Sequence, residues 1–292
     1  MIKSKGTSKA KLISKILVYL FLAIAAFLIL VPFYVILITA LKRSNALATA
    51  TPFIWFPKFA DLSFRAFKNL FTTYTVNVTG QSLILTGTLN TLAVLVPCLI
   101  AGMFCSSVSA YAFAKLRFPF KNVFYWALLA SMMLPGIVLL TPQYLIYDYL
   151  GLVNTLFPIM VPGMFGSAAC VFFLRQYFSK VPDSIIEAAK IDGLHFFSIY
   201  WYVMLPLSVP GLIAQSVLGF IAILNDYIGP LIYLQTEDKY TLQIALQMFS
   251  GGNSDDLPVI MAGALFAMLP SFLVYAVAKN YFFEGIAFSG LK

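Results

Sequence analysis

Residue types that could do chemistry are scarce in this sequence, and they gather in one short stretch. The segment "EAAKIDG" brings Glu187, Lys190 and Asp192 together within six positions, between two long hydrophobic segments. The single histidine, His195, follows two residues after Gly193. No His, Cys, Asp and Glu set has the spacing of a metal site or of a nucleophile with its base. We therefore predict no catalytic site and no metal site.

Cofactor binding is not predicted for this chain either. No G-x-x-x-x-G-K-[ST] phosphate loop occurs anywhere in the sequence, so a nucleotide is not cradled in that way. The three cysteines, Cys98, Cys105 and Cys170, lie inside apolar segments and form no C-x-x-C pair. Their odd number and spacing favour small core residues over a disulfide framework.

One acid interrupts a long apolar segment. Asp226 lies between Asn225 and Tyr227, in a stretch that is otherwise hydrophobic. A charge at membrane depth is costly and usually faces a cavity or a partner. These three side chains are candidates for lining a polar pathway through the membrane, because each can hydrogen-bond a polar solute. A helix–helix hydrogen bond near the outer end of the span explains Asp226 equally well, and both interpretations stay open.

The composition places these residues in a membrane protein. Of 292 residues, 61% are hydrophobic and only 10% are charged, whereas a soluble domain is about 25% charged. So much apolar surface cannot be covered by the few polar residues in water. The formal net charge of +8 fits basic residues that flank membrane spans on the cytoplasmic side, so it does not indicate nucleic acid.

The hydrophobic pattern predicts an all-α membrane protein with six transmembrane helices and both termini in the cytoplasm. A basic N-terminal segment, 1–15, precedes a first helix at 16–41, which is too long for a signal peptide. An extracytoplasmic loop, 42–82, leads into a transmembrane core, 83–292. The five further spans are about Leu83–Phe113, Val123–Tyr147, Leu156–Leu174, Val209–Leu234 and Pro258–Phe282. Pro97 and Pro135-Gly136 are expected to interrupt the second and third spans.

The distribution of basic residues supports this orientation. The predicted inside segments hold 13 of the 19 Lys and Arg residues, which leaves six outside. Five of those six lie in the loop 42–82, and longer translocated loops obey the positive-inside rule weakly. We therefore place the stretch containing Glu187 in a cytoplasmic loop between the fourth and fifth spans.

A short helix is predicted at 183–193 in that loop. Asp183 is positioned to cap its start, and Gly193 to end it in a left-handed conformation. Ala188 and Ala189 leave a bare side that another surface can approach closely, beside the carboxylates of Glu187 and Asp192. The aromatic stretch that follows must pack on the membrane face or the helix bundle, so it holds the helix in a fixed position.

These residues resemble a known signature. "EAAKIDGLHFFSIYWYVMLPLSVPGL", Glu187–Leu212, is similar to the EAA motif of binding-protein-dependent ABC importer permeases. Further stretches resemble the maltose-type carbohydrate permeases: "NTL", "SAYAFAKLRFPFK", "PQYLIYDYLGLVNTLFPIMVP", "FFLRQYFSKVPDSIIEAAKIDG" and "YFFEGIAFSGLK". The resemblance runs in order from about Ser82 to Lys292. It departs at Leu224-Asn225-Asp226, where related carbohydrate permeases often show W-N-D.

The resemblance implies a type I ABC importer permease in a bacterial or archaeal cytoplasmic membrane, with a sugar or oligosaccharide as its substrate. The short helix would be a coupling helix, with Glu187, Ala188, Ala189, Asp192 and Gly193 at the contact with a separate ATPase. Two copies of that ATPase would hold ATP and Mg²⁺. A second homologous permease subunit would complete a heterodimer, and an extracytoplasmic binding protein would deliver the substrate.

Three alternatives to a sugar permease remain open. The first differs only in its substrate, and the other two are different classes of membrane protein. A permease of the same fold could carry a polyol, a glycerol phosphate or a peptide-like compound. An ion-coupled secondary transporter would need intramembrane charges in several spans, and only Asp226 qualifies. An intramembrane enzyme would need a paired set of reactive side chains, which the sequence lacks. Co-purification of an ATPase separates the ABC permease from the last two.

Overall fold

The computed structural model describes the backbone of residues 8–73, 75–250 and 256–290. It describes side chains within 12–73, 75–250 and 256–279. The first seven residues of the predicted basic N-terminal segment lie outside the described residues, as do the last two residues, Leu291 and Lys292, of the predicted core.

The described chain is helical and contains no β-strand, only two isolated bridges. The helices are α1 Ser8–Leu41, α2 Asn45–Ala48, α3 Arg65–Thr72, α4 Leu83–Lys115, α5 Lys121–Ser131, α6 Gly136–Tyr149, α7 Phe157–Met164, α8 Ala168–Ser179, α9 Asp183–Ile191, α10 Phe196–Ile199, α11 Leu205–Leu207, α12 Val209–Leu224, α13 Ile228–Tyr233, α14 Leu242–Ser250 and α15 Leu257–Gly290. A 3₁₀ turn, Phe59–Asp61, precedes α3, and a π-helical segment, Tyr200–Met204, joins α10 to α11.

Five helical stretches in the described chain are long and apolar enough to cross a membrane. They are Leu12–Leu41, Leu83–Lys115, Phe157–Ser179, Val209–Tyr233 and Leu257–Lys279. A sixth span is formed if α5 and α6 cross together, although they meet at an angle of 94°. The predicted all-α membrane fold is confirmed.

The two predicted proline interruptions have different outcomes. Pro135 lies at the break between α5 and α6 and is the residue that precedes the first turn of α6, as expected from its missing N–H. Pro97, by contrast, lies inside α4, which continues unbroken to Lys115. The prediction of an interruption at Pro97 is therefore wrong, because membrane helices tolerate proline where neighbouring groups satisfy the freed carbonyl.

The chain divides into two compact units. The first comprises residues 1–72 and 249–266. Within it, Lys42 at the end of α1 is buried, and its ammonium lies 3.7 Å from the centre of the Phe53 ring. Burial lowers the pKa of Lys42, and the ring face offers the charge a partial replacement for water. An ion pair between Arg65 and Asp256, at 2.5 Å, joins α3 to the start of α15.

The second unit comprises residues 73–248 and 267–292. Its centre is α4, which packs against α7, α8 and α12. Small residues allow this close approach: a Cβ added to Gly102 would collide with the Gly163 carbonyl oxygen, and one on Gly163 would lie 2.8 Å from the Cys98 sulfur. Membrane helices associate through such small residues, because lipid gives their apolar side chains no reason to cluster.

Candidate functional site

The start of α9 is fixed by an ion pair from a neighbouring span. Pro182 has extended backbone angles and stands at the N-cap position without a side-chain cap. Lys115, the last residue of α4, donates from its Nζ to the Val181 carbonyl and to Asp183 Oδ1, each at 2.6 Å. The Lys115 hydrogen bond and charge hold the pKa of Asp183 below its usual value. The predicted capping role of Asp183 is therefore wrong, because its carboxylate pairs with Lys115 instead.

The end of α9 is a left-handed stop, as predicted. Gly193 has a φ of +83°, which is a conformation that suits glycine. Its N–H donates to the Lys190 carbonyl at 3.1 Å, and the Leu194 N–H donates to the Ala189 carbonyl at 3.0 Å. This pair of bonds is a Schellman motif, which satisfies two of the carbonyls left free at a helix end.

The two sides of α9 differ sharply in exposure. Ile186 and Ala189 are buried, whereas Glu187 and Ala188 are exposed. Of the two alanines of the motif, Ala188 is therefore exposed, whereas Ala189 packs on the chain's own core. Ile191 is 86% exposed, which is unusual for an isoleucine in water.

The exposed side forms one stripe along the helix. Ser184, Glu187, Ala188 and Ile191 are all exposed and follow the spacing i, i+3, i+4 and i+7, so they lie on one face. We call these four residues the outward stripe. Ser184 and Ile191 were not predicted as site residues, although their spacing from Glu187 and Ala188 was a signal in the sequence. Asp192, also exposed, lies beside the stripe at the helix end.

The buried side of α9 rests on an aromatic cluster. Tyr111 of α4 lies with its ring centre 5.3 Å from Phe196 and 5.6 Å from Tyr200. The Tyr200 hydroxyl and the Ser107 hydroxyl share a hydrogen bond of 2.6 Å. Ile186 and Ala189 belong to the same buried cluster. The aromatic stretch after Gly193 was predicted to pack on the membrane face or on the bundle, and the structure packs its Phe196 and Tyr200 on the bundle.

The second candidate site lies at a break in the fifth span. Residues 225–227 separate α12 from α13. Asp226 Oδ1 accepts a long hydrogen bond of 3.4 Å from the Gly229 N–H. Asn225 Nδ2 donates to the Ile221 carbonyl at 2.9 Å. Tyr227 is half-buried and directly precedes α13.

Asp226 lines a cavity of about 240 Å³ between α4, α7, α12 and α13. Thr91 and Thr241 supply its other polar groups, and the buried Thr241 hydroxyl has no hydrogen-bond partner among the described residues. The structure thus brings Asp226 to a cavity. Asn225 and Tyr227 flank it in sequence but do not line this cavity.

A larger cavity of about 560 Å³ adjoins the first, and both are lined by Cys98, Gly163, Ala222 and Ile223. Gln215 of α12 lines the larger one. Gln215, Gly219 and Ala222 are spaced at i, i+4 and i+7, which places them along one line of α12. Gln215 was not predicted as a site residue, although a polar side chain in an apolar helix is a signal in the sequence.

Comparison with known proteins decides the family. Residues 98–283 match the profile described as "binding-protein-dependent transport system inner membrane component". The chain belongs to this family. This permease is therefore a multi-pass inner-membrane protein and a transport component of an ABC system. Permeases of this family work with an ATPase and a binding protein.

Individual relatives of the permease support the family assignment. A probable ABC transporter permease of Pyrococcus horikoshii is 35% identical over 201 residues, which are 68% of this chain and 73% of the relative. The arabinooligosaccharides transport system permease AraQ of Bacillus subtilis is 27% identical over 95% of this chain and 96% of its own length.

A solved structure extends the similarity to the fold. One chain of a bacterial ABC transporter involved in the import of the acidic polysaccharide alginate superposes with a TM-score of 0.78 at 26% identity. The superposition covers 96% of the permease and 100% of that chain. The predicted family and the predicted ABC importer permease fold are both confirmed.

Proposed function

We propose that this permease translocates a sugar or oligosaccharide and is driven by an ATPase that docks on the outward stripe of α9. The observation that carries the coupling role is the exposure of Glu187, Ala188 and Ile191 on a helix whose other side is locked into the bundle. The substrate class rests on the names of relatives, an arabinooligosaccharide permease and an alginate importer.

The outward stripe suits a protein partner. An exposed isoleucine and a bare alanine offer apolar contact at close range, and Glu187 offers a carboxylate to a cationic side chain. Asp192 adds a second carboxylate at the C-terminal end, and Gly193 allows the chain to turn away. Ala189 contributes indirectly, because its small side chain lets α9 lie close to the aromatic cluster.

Movement of α9 must be transmitted to the spans. The Lys115–Asp183 pair ties the start of α9 to the end of α4, and the aromatic cluster ties its side to α4 and to the π-helical segment. A displacement of α9 by the ATPase would therefore displace α4, which lines the cavity that contains Asp226. ATP and Mg²⁺ act in the ATPase, and we assign no reaction to this chain.

The proposed assembly contains one copy of this permease, one homologous permease, two ATPase chains and a binding protein outside the membrane. Asp226, Thr91 and Thr241 would meet substrate hydroxyls at the outer end of the pathway, and Asn225 and Tyr227 would shape its entrance. A thermal-shift screen of the binding protein encoded beside this permease, against neutral sugars, acidic sugars and glycerol phosphate, would test the substrate class.

The coupling role is tested by reversing one charge. Glu187→Lys should leave membrane insertion intact but release the ATPase from the purified complex and abolish uptake. Losing a buried charged contact costs about 2–5 kcal/mol, and an opposed charge adds repulsion. Asp148→Lys is the matched control, because it reverses another exposed carboxylate at the far end of α6. Normal uptake by Glu187→Lys at normal membrane levels would overturn the proposal.

A further inference from the structure

The turn between α4 and α5 forms a surface cavity to which the proposed function assigns no role. Residues 116–118 and 120–123 line it, and its volume is about 350 Å³. We call it the α4–α5 notch. It lies where one apolar span ends, at Lys115, and another begins, at Lys121. The Lys115–Asp183 pair places it at the same end of the helices as α9.

Four cations gather around the notch. Lys121 is in electrostatic range of Arg175, Arg117 and Lys115. Two of the four are already engaged. Lys115 is bound to Asp183 and to a carbonyl. Arg175 donates to the Phe113 carbonyl and lies 4.1 Å from the centre of the Tyr125 ring.

The other two cations have unused capacity. Lys121 donates one hydrogen bond, of 2.8 Å, to the Leu116 carbonyl, and an ammonium has three N–H groups. Arg117 is exposed, and among the described residues its guanidinium has no hydrogen-bond partner. The carboxylate of Asp183 offsets one of the four charges, which leaves an excess of three positive charges.

The wall beside these cations is apolar and exposed. Phe120 is 74% exposed, and Val123, Phe124 and Trp126 on the first turns of α5 are exposed as well. Aromatic side chains with this exposure at the end of a span are typical of the membrane interface. A free anion would need only the charges, whereas a lipid needs both the charges and the apolar wall.

We propose that the α4–α5 notch binds one anionic phospholipid. Its phosphate would lie between Arg117 and Lys121, and an acyl chain would follow Phe124 and Trp126 along α5. Basic pockets between membrane helices at the cytoplasmic side bind such headgroups. The lipid would brace the same end of α4 that holds α9 through Lys115.

The proposal can be tested by fluorescence in lipid nanodiscs. Trp55→Phe and Trp201→Phe leave Trp126 as the only tryptophan of the full-length chain. Brominated phosphatidylglycerol and brominated phosphatidylcholine are then titrated separately, and the quenching of Trp126 is measured. Each basic residue near the surface contributes about fivefold to the affinity for an anionic lipid. We expect phosphatidylglycerol to quench Trp126 at a mole fraction at least about fivefold lower than the mole fraction of phosphatidylcholine that gives the same quenching.

Variants in the same background assign the effect to the notch. Arg117→Gln should reduce the preference for phosphatidylglycerol over phosphatidylcholine about fivefold. Arg117→Lys should retain most of this preference. Lys180→Gln is the matched control, since it removes one exposed cation at the same end of the helices but outside the cavity. Equal quenching by phosphatidylcholine in every variant would show that the fold and the position of Trp126 are unchanged.

Three results would overturn the proposal. The first is equal quenching by the two lipids in the parent chain. The second is an equal loss of preference in Lys180→Gln and Arg117→Gln, which would indicate a diffuse charge effect. The third is loss of the preference when inorganic phosphate replaces chloride at constant ionic strength, which would assign the notch to a free anion.

Discussion

Single side chains decide what this permease can contact, and Asp226 shows this for the substrate pathway. Its carboxylate lines a cavity together with Thr91 and Thr241. Its one described hydrogen bond within the chain is the long bond from Gly229. We keep the role of Asp226 in the substrate pathway as a proposal, motivated by its place in the lining of this cavity.

We predict that Asp226→Asn assembles normally but changes the transport rate or the solute preference. An amide can still accept the hydrogen bond from Gly229, whereas its charge and its hydrogen-bonding pattern toward a substrate differ. Uptake assays with competing sugars measure the effect.

Thiol labelling locates the same position in the assembled transporter. Asp226→Cys should react with a water-soluble thiol reagent to an extent that depends on the nucleotide state of the ATPase. Leu224→Cys is the control, since Leu224 is buried two residues away. Complete protection of the cysteine at 226 in every state would contradict a place in the pathway.

Residue types alone predicted some of these features. The left-handed Gly193 follows from what glycine allows, whereas the break at residues 225–227 was not predicted, because Val209–Leu234 was expected to be one continuous span. The partner of Asp183 could not be predicted, because Lys115 is 68 positions away in sequence. The different exposure of Ala188 and Ala189 could not be predicted, because it depends on which side of α9 meets the bundle.

At the scale of elements, α9 depends on the end of α4. We predict that Lys115→Met loosens α9, because the Val181 carbonyl and Asp183 lose their shared donor. Hydrogen exchange of the amides in Asp183–Ile191 should become about fivefold faster, as expected for the loss of one hydrogen bond. Lys190→Met, which removes an exposed cation of α9 itself, should leave the exchange rates nearly unchanged.

The same pair predicts a pH range. The pKa of Asp183 is lowered in the folded chain, chiefly by the Lys115 hydrogen bond. A lowered carboxyl pKa contributes stability that is fully present above the unfolded value of about 3.9 and is lost as the pH falls through the folded value. Protection of α9, corrected for intrinsic exchange, should therefore stay constant from about pH 7 to pH 5. A loss of protection within that range would contradict the role assigned to this pair.

Most spans could be predicted from hydrophobicity, but breaks within them could not be predicted equally well. Pro135 ends a helix, whereas Pro97 does not, although both are prolines in apolar segments. A membrane helix can continue through a proline where neighbouring groups satisfy the freed carbonyl, and the sequence alone does not say where such groups lie. The close contact of Gly102 with Gly163 likewise joins residues that are far apart in the sequence.

At the scale of the whole molecule, this chain supplies half of the proposed pathway. Two copies of it would bring two Asp226 carboxylates toward one central cavity, where like charges oppose each other. We therefore predict a heterodimer with a second permease. Native mass spectrometry of the complex, expressed from its whole operon, should find one copy of this chain beside a relative and two ATPases. Two copies of this chain with two ATPases and no second permease would refute the prediction.

The central claim is that the outward stripe of α9 docks on an ATPase, and two adjacent alanines test it most directly. Ala188→Cys and Ala189→Cys make the same change at an exposed and at a buried position of one helix. Each variant is treated with a thiol reagent in the purified complex, with the ATPase present or removed, and peptide mass spectrometry measures the labelling at each cysteine. We predict that the cysteine at 188 reacts only after the ATPase is removed, and that the cysteine at 189 stays unreactive in both states. Labelling at 188 that is unaffected by the ATPase would contradict the claim.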